Sequence, residues 1–217
     1  MTFEETKDAL LLASLPNVAF DGWGEESFRR GAESLDMPPE SVADYFPGGA
    51  RGQIAAFSDW ADRQMLAAYE EADTAEMGMT AKVALAVRLR FEALAPHQEA
   101  LRRSLSILAL PSNAATGLTF LHRTSDSIWT AVGDRSTDHN WYSKRMLLGG
   151  VISTTTLYWL DDSSEGKART WSFLDRRLAN VVKIGGKLGK VMGRAMALPD
   201  RLVASMQNRR SWRRSAR

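Results

Sequence analysis

The chain has 217 residues, 44% of them hydrophobic and 25% charged, which is ordinary for a globular protein and enough to bury a sizeable core. It contains no cysteine, so disulfides and thiolate metal sites are both excluded. The net charge of +2 conceals an asymmetry: 12 Lys and Arg face a single acid, Asp200, from Arg176 onward, whereas residues 1–175 hold 16 bases and 25 acids.

Taken in order, the N-terminus MTFEETKDALLLA is acidic at its start and lacks the basic region of a signal peptide. Phe3, Lys7, Leu10, Leu11 and Ser14 recur at helical spacing, and Pro16 is expected to loosen or end this first helix. A second short helix is predicted over Glu25–Leu35, with Phe28, Ala32 and Leu35 on one face. Asp36-Met-Pro-Pro restarts the chain, because proline suits a first helical turn. A third short helix then passes through Ser41, Val42 and Tyr45 and stops at Pro47-Gly48-Gly49. Ile54, Phe57, Trp60, Met65 and Tyr69 mark a long fourth helix. Further helices are predicted over Thr80–Ala95, over Pro96–Ala109 and from Pro111 to about Val132.

The segment from Gly133 to Trp159 opens with the capping residues Ser136, Thr137 and Asp138 and presents Trp141 and Tyr142 beside Lys144 and Arg145. From Met146 to Leu160 it runs fifteen residues without a charge. A bilayer span needs about 20 apolar residues, so the expected fate is a helix enclosed on nearly all sides by others. Val151–Trp159 is rich in β-branched and aromatic residues and would score as a strand by propensity. No partner strand is evident, and a lone strand is not stable. Asp162-Ser-Ser-Glu165 has capping-box spacing for a following helix. The fold class is all-α.

In the tail, Lys183, Lys187, Lys190 and Arg194 form one helical stripe, and Ile184, Leu188, Val191 and Met192 lie on another side. Glycines at 185, 189 and 193 weaken such a helix by about 1 kcal/mol each. A basic and apolar helix that is marginal in water is suited to forming on an anionic membrane surface. These eight residues are therefore the candidate membrane contacts, set against a docked C-terminal helix with a basic tip.

Catalytic and metal chemistry find little support. His97, His122 and His139 are far apart with no second ligand at metal spacing, and no glycine-rich phosphate loop follows a strand. Asp134, Asp138 and His139 make the one dense polar group near a plausible cavity, and helix capping explains them without chemistry. The chain is expected to be no enzyme, with no metal and no cofactor.

The order of the first helices resembles the DNA-binding head of the tetracycline-repressor family, with Val42-Ala-Asp-Tyr-Phe46 at the end of the recognition helix. That family's phosphate-contacting tyrosine and lysine fall here on Ala43 and Gly49. The helix carries Glu40 and Asp44 and no base, whereas DNA binding depends on Lys and Arg at phosphates and donors in the groove. The head is expected to keep the scaffold and to bind no nucleic acid.

A second resemblance covers most of residues 3–182. The stretches Ser136–Arg145, Tyr158–Glu165 and Trp171–Arg177, with Trp23–Gly31 and Phe46–Gly49, are similar to the ninth coenzyme-Q-biosynthesis protein family, the rpsU-divergently transcribed protein of bacteria. The resemblance implies a repressor-like bundle with an apolar pocket for an isoprenoid lipid or ubiquinone precursor. It also implies an amphipathic membrane-binding C-terminal helix and presentation of substrate to a di-iron hydroxylase. Trp141 and Tyr142 match the partner-facing patch outright, and Ile128 and Val132 align in apolar character. Ile128 and Val132 also share a helical face, so both pairs are candidate partner contacts, with core packing as the alternative. Leu118, Leu121, Leu147, Val151, Leu157 and Tyr158 are candidate lipid contacts, although core residues show the same spacing. The expected organisation is a degenerate helix-turn-helix head over 1–50, a lipid-binding body over 51–182 and a basic tail over 183–217. The expected location is cytoplasmic and peripheral on the inner membrane. Homodimerisation is the habit of the repressor fold, and a ligand-responsive repressor is the rival function.

Overall fold

The computed structural model describes residues 1–134 and 139–181, and among them there are helices and no strand. The helices are α1 (Phe3–Asp21), α2 (Glu25–Glu33), α3 (Val42–Tyr45), α4 (Ala50–Glu71), α5 (Met79–Leu94), α6 (Gln98–Leu108), α7 (Ala114–Ala131) and α8 (His139–Asp161). A further helix, α9, runs over 168–181. The candidate membrane residues at 183–194, and Asp138 of the polar cluster, lie outside the described residues.

Helix α1 starts at a capping box, in which Thr2 and Glu5 satisfy each other's backbone N–H groups. It then continues through Pro16 to Asp21, beyond its predicted end. The hydrogen bond that proline cannot donate belongs to the carbonyl of Leu12, a partly solvent-facing position. Leu10, Leu11, Leu15 and Val18 meanwhile bury the opposite face and hold the helix. The tight α1–α2 crossing needs Gly31, where a Cβ would lie 2.1 Å from Ser14 Oγ. Trp23, Phe28, Phe46 and Phe57 join the head to α4, with Trp23 and Phe57 centroids 5.4 Å apart. Trp23 Nε1 also donates to the Ala100 carbonyl at 3.0 Å, so one core runs from the head into the body.

Helix α8 settles the strand question, and it departs from the enclosed helix expected. Leu148, Ile152 and Trp159 point into the core, but Met146 is 75% exposed and Leu157 61%. Two of its three threonines return their hydroxyls to the helix, Thr154 to the carbonyl of Gly150 and Thr156 to that of Ile152. An apolar outer face is left uncovered within the described residues.

The corner between α8 and α9 is anchored by Asp162, though not as the capping box expected. Its carboxylate accepts from the backbone N–H and hydroxyl of Ser164 and from those of Thr170, at 2.6–2.9 Å. Glu165 is displaced from a capping role by a 3₁₀ turn, Glu165–Lys167, in which Gly166 and Lys167 have φ of 56° and 57°. Burial pushes the Asp162 carboxyl up, yet these four hydrogen bonds outweigh it and hold the group well below its ordinary 3.8. A depressed carboxylate stabilises the fold fully above its ordinary value and loses that contribution as pH falls toward the folded one. Wild-type melting temperature should therefore decline below about pH 4, with much less decline in Asp162→Asn. Parallel melting curves for the two proteins in acid would refute this role.

Candidate functional site

Between α6 and α7 the chain turns at Pro111, and the paired helix Met79–Leu108 meets the following helix at 99°. This bend opens a wedge that α4, α5 and α8 close on the other sides, leaving a cavity of about 500 Å³. Ile54, Phe57, Leu94, Leu101, Leu105 and Leu108 supply the walls from α4, α5 and α6. Leu118 and Leu121 contribute from α7, and Ile152, Ser153, Thr156 and Leu157 from α8. Leu118 is 68% exposed, so it and Leu157 form the mouth.

Three of the six candidate lipid residues, Leu118, Leu121 and Leu157, line this cavity, and three do not. Val151 is packed in the core and Leu147 is half-buried away from the cavity. Tyr158 faces outward, stacked on Phe173 at 4.7 Å over a shallow cleft with Arg169 and Arg176. The cause is angular: 147, 151 and 158 share one stripe of α8, while the cavity-lining residues 152, 153, 156 and 157 are centred on the opposite side of the helix. The wall residues of α4, α5 and α6 were missed because apolar positions at helical spacing look the same on a core and on a cavity.

The partner candidates also divide. Ile128 is wholly buried and Val132 nearly so, because α7 turns that face onto the core. As core residues they offer almost no exposed surface of their own. Tyr142 is 66% exposed, and Trp141 is half-buried beside it with ring centroids 4.6 Å apart. Tyr142, Met146 and Leu157 fall on one face of α8, so an exposed apolar strip runs from the aromatic pair to the cavity mouth.

Buried charge underlies this strip. The Arg145 guanidinium lies 3.8 Å from the Trp141 ring centroid and donates through Nη1 to the Trp141 carbonyl at 3.2 Å. Its Nε pairs with Asp126 at 2.6 Å, and Asp134 sits 3.9 Å from Nη1 while binding Lys144 Nζ at 2.6 Å. Asp134 thus meets two cations.

Among the described residues no group of three or more His, Cys, Asp or Glu is placed to hold a metal ion. His97 packs between Phe57 and Trp60, and burial pushes its pKa down. Among the same residues, no single helix is long and apolar enough to cross a membrane.

Comparison with known proteins gives the site its context. Residues 114–185, which hold α7, α8 and α9, match the COQ9 family model. The chain is 31% identical over 208 residues to the mitochondrial ubiquinone biosynthesis protein COQ9 of Rattus norvegicus, covering 93% of this chain and 67% of the relative. It is 30% identical to the Homo sapiens protein of the same name, with 93% and 65% covered, so the alignments span about two thirds of the relatives' length. In architecture it is similar to a TetR transcriptional regulator from Nitrosomonas europaea, with a TM-score of 0.65 and 20% identity, over 82% of this chain and 98% of the regulator. That likeness shows an all-α, TetR-like bundle.

Proposed function

The chain belongs to the COQ9 family of ubiquinone biosynthesis proteins, and from that premise we propose that it is a lipid-binding accessory protein of the pathway. In this reading the cavity holds an isoprenoid quinone precursor, the 183–194 segment engages an anionic membrane, and the strip at Tyr142 meets the di-iron ring hydroxylase. The single observation that carries the reading is the cavity itself. It is ligand-sized and lined mainly by apolar side chains, and its mouth adjoins an exposed aromatic and aliphatic surface. A carrier without chemistry of its own accords with this lining. The proposed division of labour is a head over 1–50 kept as scaffold, a lipid-holding body over 51–182 and a membrane-seeking tail over 183–217. The proposed location is the cytoplasmic face of the inner membrane.

The rival reading, a ligand-responsive repressor, draws on the bundle alone. Helix α3 is four residues long; its charge is the exposed Asp44, and the 3₁₀ turn before it, Pro39–Ser41, adds the exposed Glu40. A recognition helix must lay several donors along the major groove, and this one presents acids.

Two measurements test the proposal. Flotation with anionic vesicles containing an isoprenoid quinone should show salt-sensitive binding and quinone carried on the protein after release. Truncation after residue 182 should abolish the membrane step. A cut at Arg176 would be uninformative, because α9 packs through Leu178. Undiminished flotation of the truncated chain would overturn the membrane role of the tail. For the partner surface, Tyr142→Ala should weaken hydroxylase binding by about tenfold or more, with a melting temperature within about 2 °C of wild type. Trp141→Ala is a poorer probe, since it also uncovers Arg145. Unchanged affinity in Tyr142→Ala would remove the strip from the interface.

A further inference from the structure

The cavity wall is not uniformly apolar. Where α4, α5 and α7 meet, Arg90 Nε donates to Asp62 Oδ1 at 2.6 Å and Arg90 Nη2 to Ser58 Oγ at 3.2 Å. The Thr124 hydroxyl donates to the same carboxylate, 3.0 and 2.9 Å from its two oxygens. Arg90, Ser58 and Thr124 line the cavity, whereas Asp62 stands behind them. The ion pair is well buried, with 11% of the Arg90 side chain and 10% of the Asp62 side chain exposed.

Two donors of this network remain unused. Arg90 Nη1 and the Ser58 hydroxyl proton make no hydrogen bond among the described residues. Other lining hydroxyls are engaged elsewhere: Ser104 and Thr156 donate to the carbonyls of Leu101 and Ile152 on their own helices. Ser153 adds a hydroxyl from α8. The corner therefore offers donors and asks for an acceptor.

We propose that this corner is a subsite for the oxygen of a neutral lipid, such as a ring carbonyl, phenol or ether oxygen, and that it discriminates against acidic lipids. The proposal rests on the reading of the cavity as a lipid site and specifies the class of lipid. Charge decides the class. Arg90 is already neutralised by Asp62, so an entering carboxylate would shed its water in an apolar cavity with no spare cation to meet it. A neutral oxygen has little hydration to lose and gains the Arg90 and Ser58 donors. Thr124 lies six residues beyond Leu118 on α7, about 9 Å of helix rise, so the oxygen sits inward and the apolar chain runs to the mouth. The lipid is stored ring-inward, and handover requires it to withdraw past Leu118 and Leu157.

Displacement of diphenylhexatriene from the full chain at neutral pH tests this with four ligands that share a tetraprenyl tail: geranylgeraniol, its methyl ether, geranylgeranoic acid and the parent hydrocarbon. The alcohol and ether should bind about tenfold more tightly than the hydrocarbon, and the acid more weakly than either. Ser58→Ala should narrow the gap between ether and hydrocarbon to about threefold. The double variant Arg90→Met with Asp62→Leu should close it while the hydrocarbon still binds. Equal affinity of ether and hydrocarbon in the wild type, or tightest binding of the acid, would overturn the subsite and leave the cavity a plain apolar site. If none of the four displaces the probe, the lipid-site reading falls as well.

Discussion

Asp62→Ala should cost about 3–5 kcal/mol, a fall in melting temperature on the order of 10 °C for a chain of this length. The substitution leaves the Arg90 guanidinium in a site where only 11% of its side chain meets solvent, with Ser58 as its one remaining partner. It also strands the Thr124 hydroxyl, which donates to the same carboxylate. An uncompensated buried charge is among the few causes of so large a loss. Replacing both members, Arg90→Met with Asp62→Leu, should recover most of the stability, because apolar groups of similar volume substitute well for a buried ion pair. Thermal melts of Arg90→Met, Asp62→Leu and the double variant form the cycle. Additive losses in the double variant would show that the two residues do not act as a pair.

Arg145→Met comes second in expected size, at about 2–3 kcal/mol or roughly 5–10 °C. The loss is smaller because Asp126 is 45% exposed on its side chain and recovers water, and because Asp134 keeps Lys144. What distinguishes this variant is its second effect. Without the guanidinium 3.8 Å from its ring centroid, Trp141 loses the cation that fixes its plane, and Tyr142 loses the ring it packs against. Hydroxylase affinity should fall with stability, whereas Asp62→Ala should leave affinity intact at temperatures where it is folded. An Arg145→Met protein that is destabilised but binds the hydroxylase normally would return Arg145 to a purely structural role.

Much of the fold was legible in the chain. The helix order, the breaks at Pro39, Pro96 and Pro111 and the helical state of the β-branched run at 151–159 all follow from periodicity and proline chemistry. Pro16 misled because its cost depends on whether the freed carbonyl meets solvent, which local sequence does not encode. The site was less legible. One apolar side of α8 looks like another until the crossing with α7 is known, so Leu147, Val151 and Tyr158 were placed in a cavity that 152, 153 and 156 line. Ile128 and Val132 share an apolar face, as inferred, but whether that face meets the core or a partner depends on how α7 is rotated. Arg90 and Asp62 lie 28 residues apart on different helices, and nothing in their local spacing announces a contact. Trp141 and Tyr142 stand about 100° apart on α8, so one can be half-buried while the other, Tyr142, is exposed.

If the cavity between α4 and α8 carries an isoprenoid lipid, as proposed, that lipid should accompany the protein through purification. Native mass spectrometry of the gently purified chain is the test, beside a Leu121→Trp variant whose indole would narrow the cavity about one helical turn inside Leu118. The expected result is a wild-type adduct that dissociates to an isoprenoid quinone or its precursor and is clearly diminished in the Leu121→Trp protein. An apo wild-type spectrum from quinone-producing cells, or an adduct retained undiminished in the Leu121→Trp protein, would contradict a lipid in this cavity.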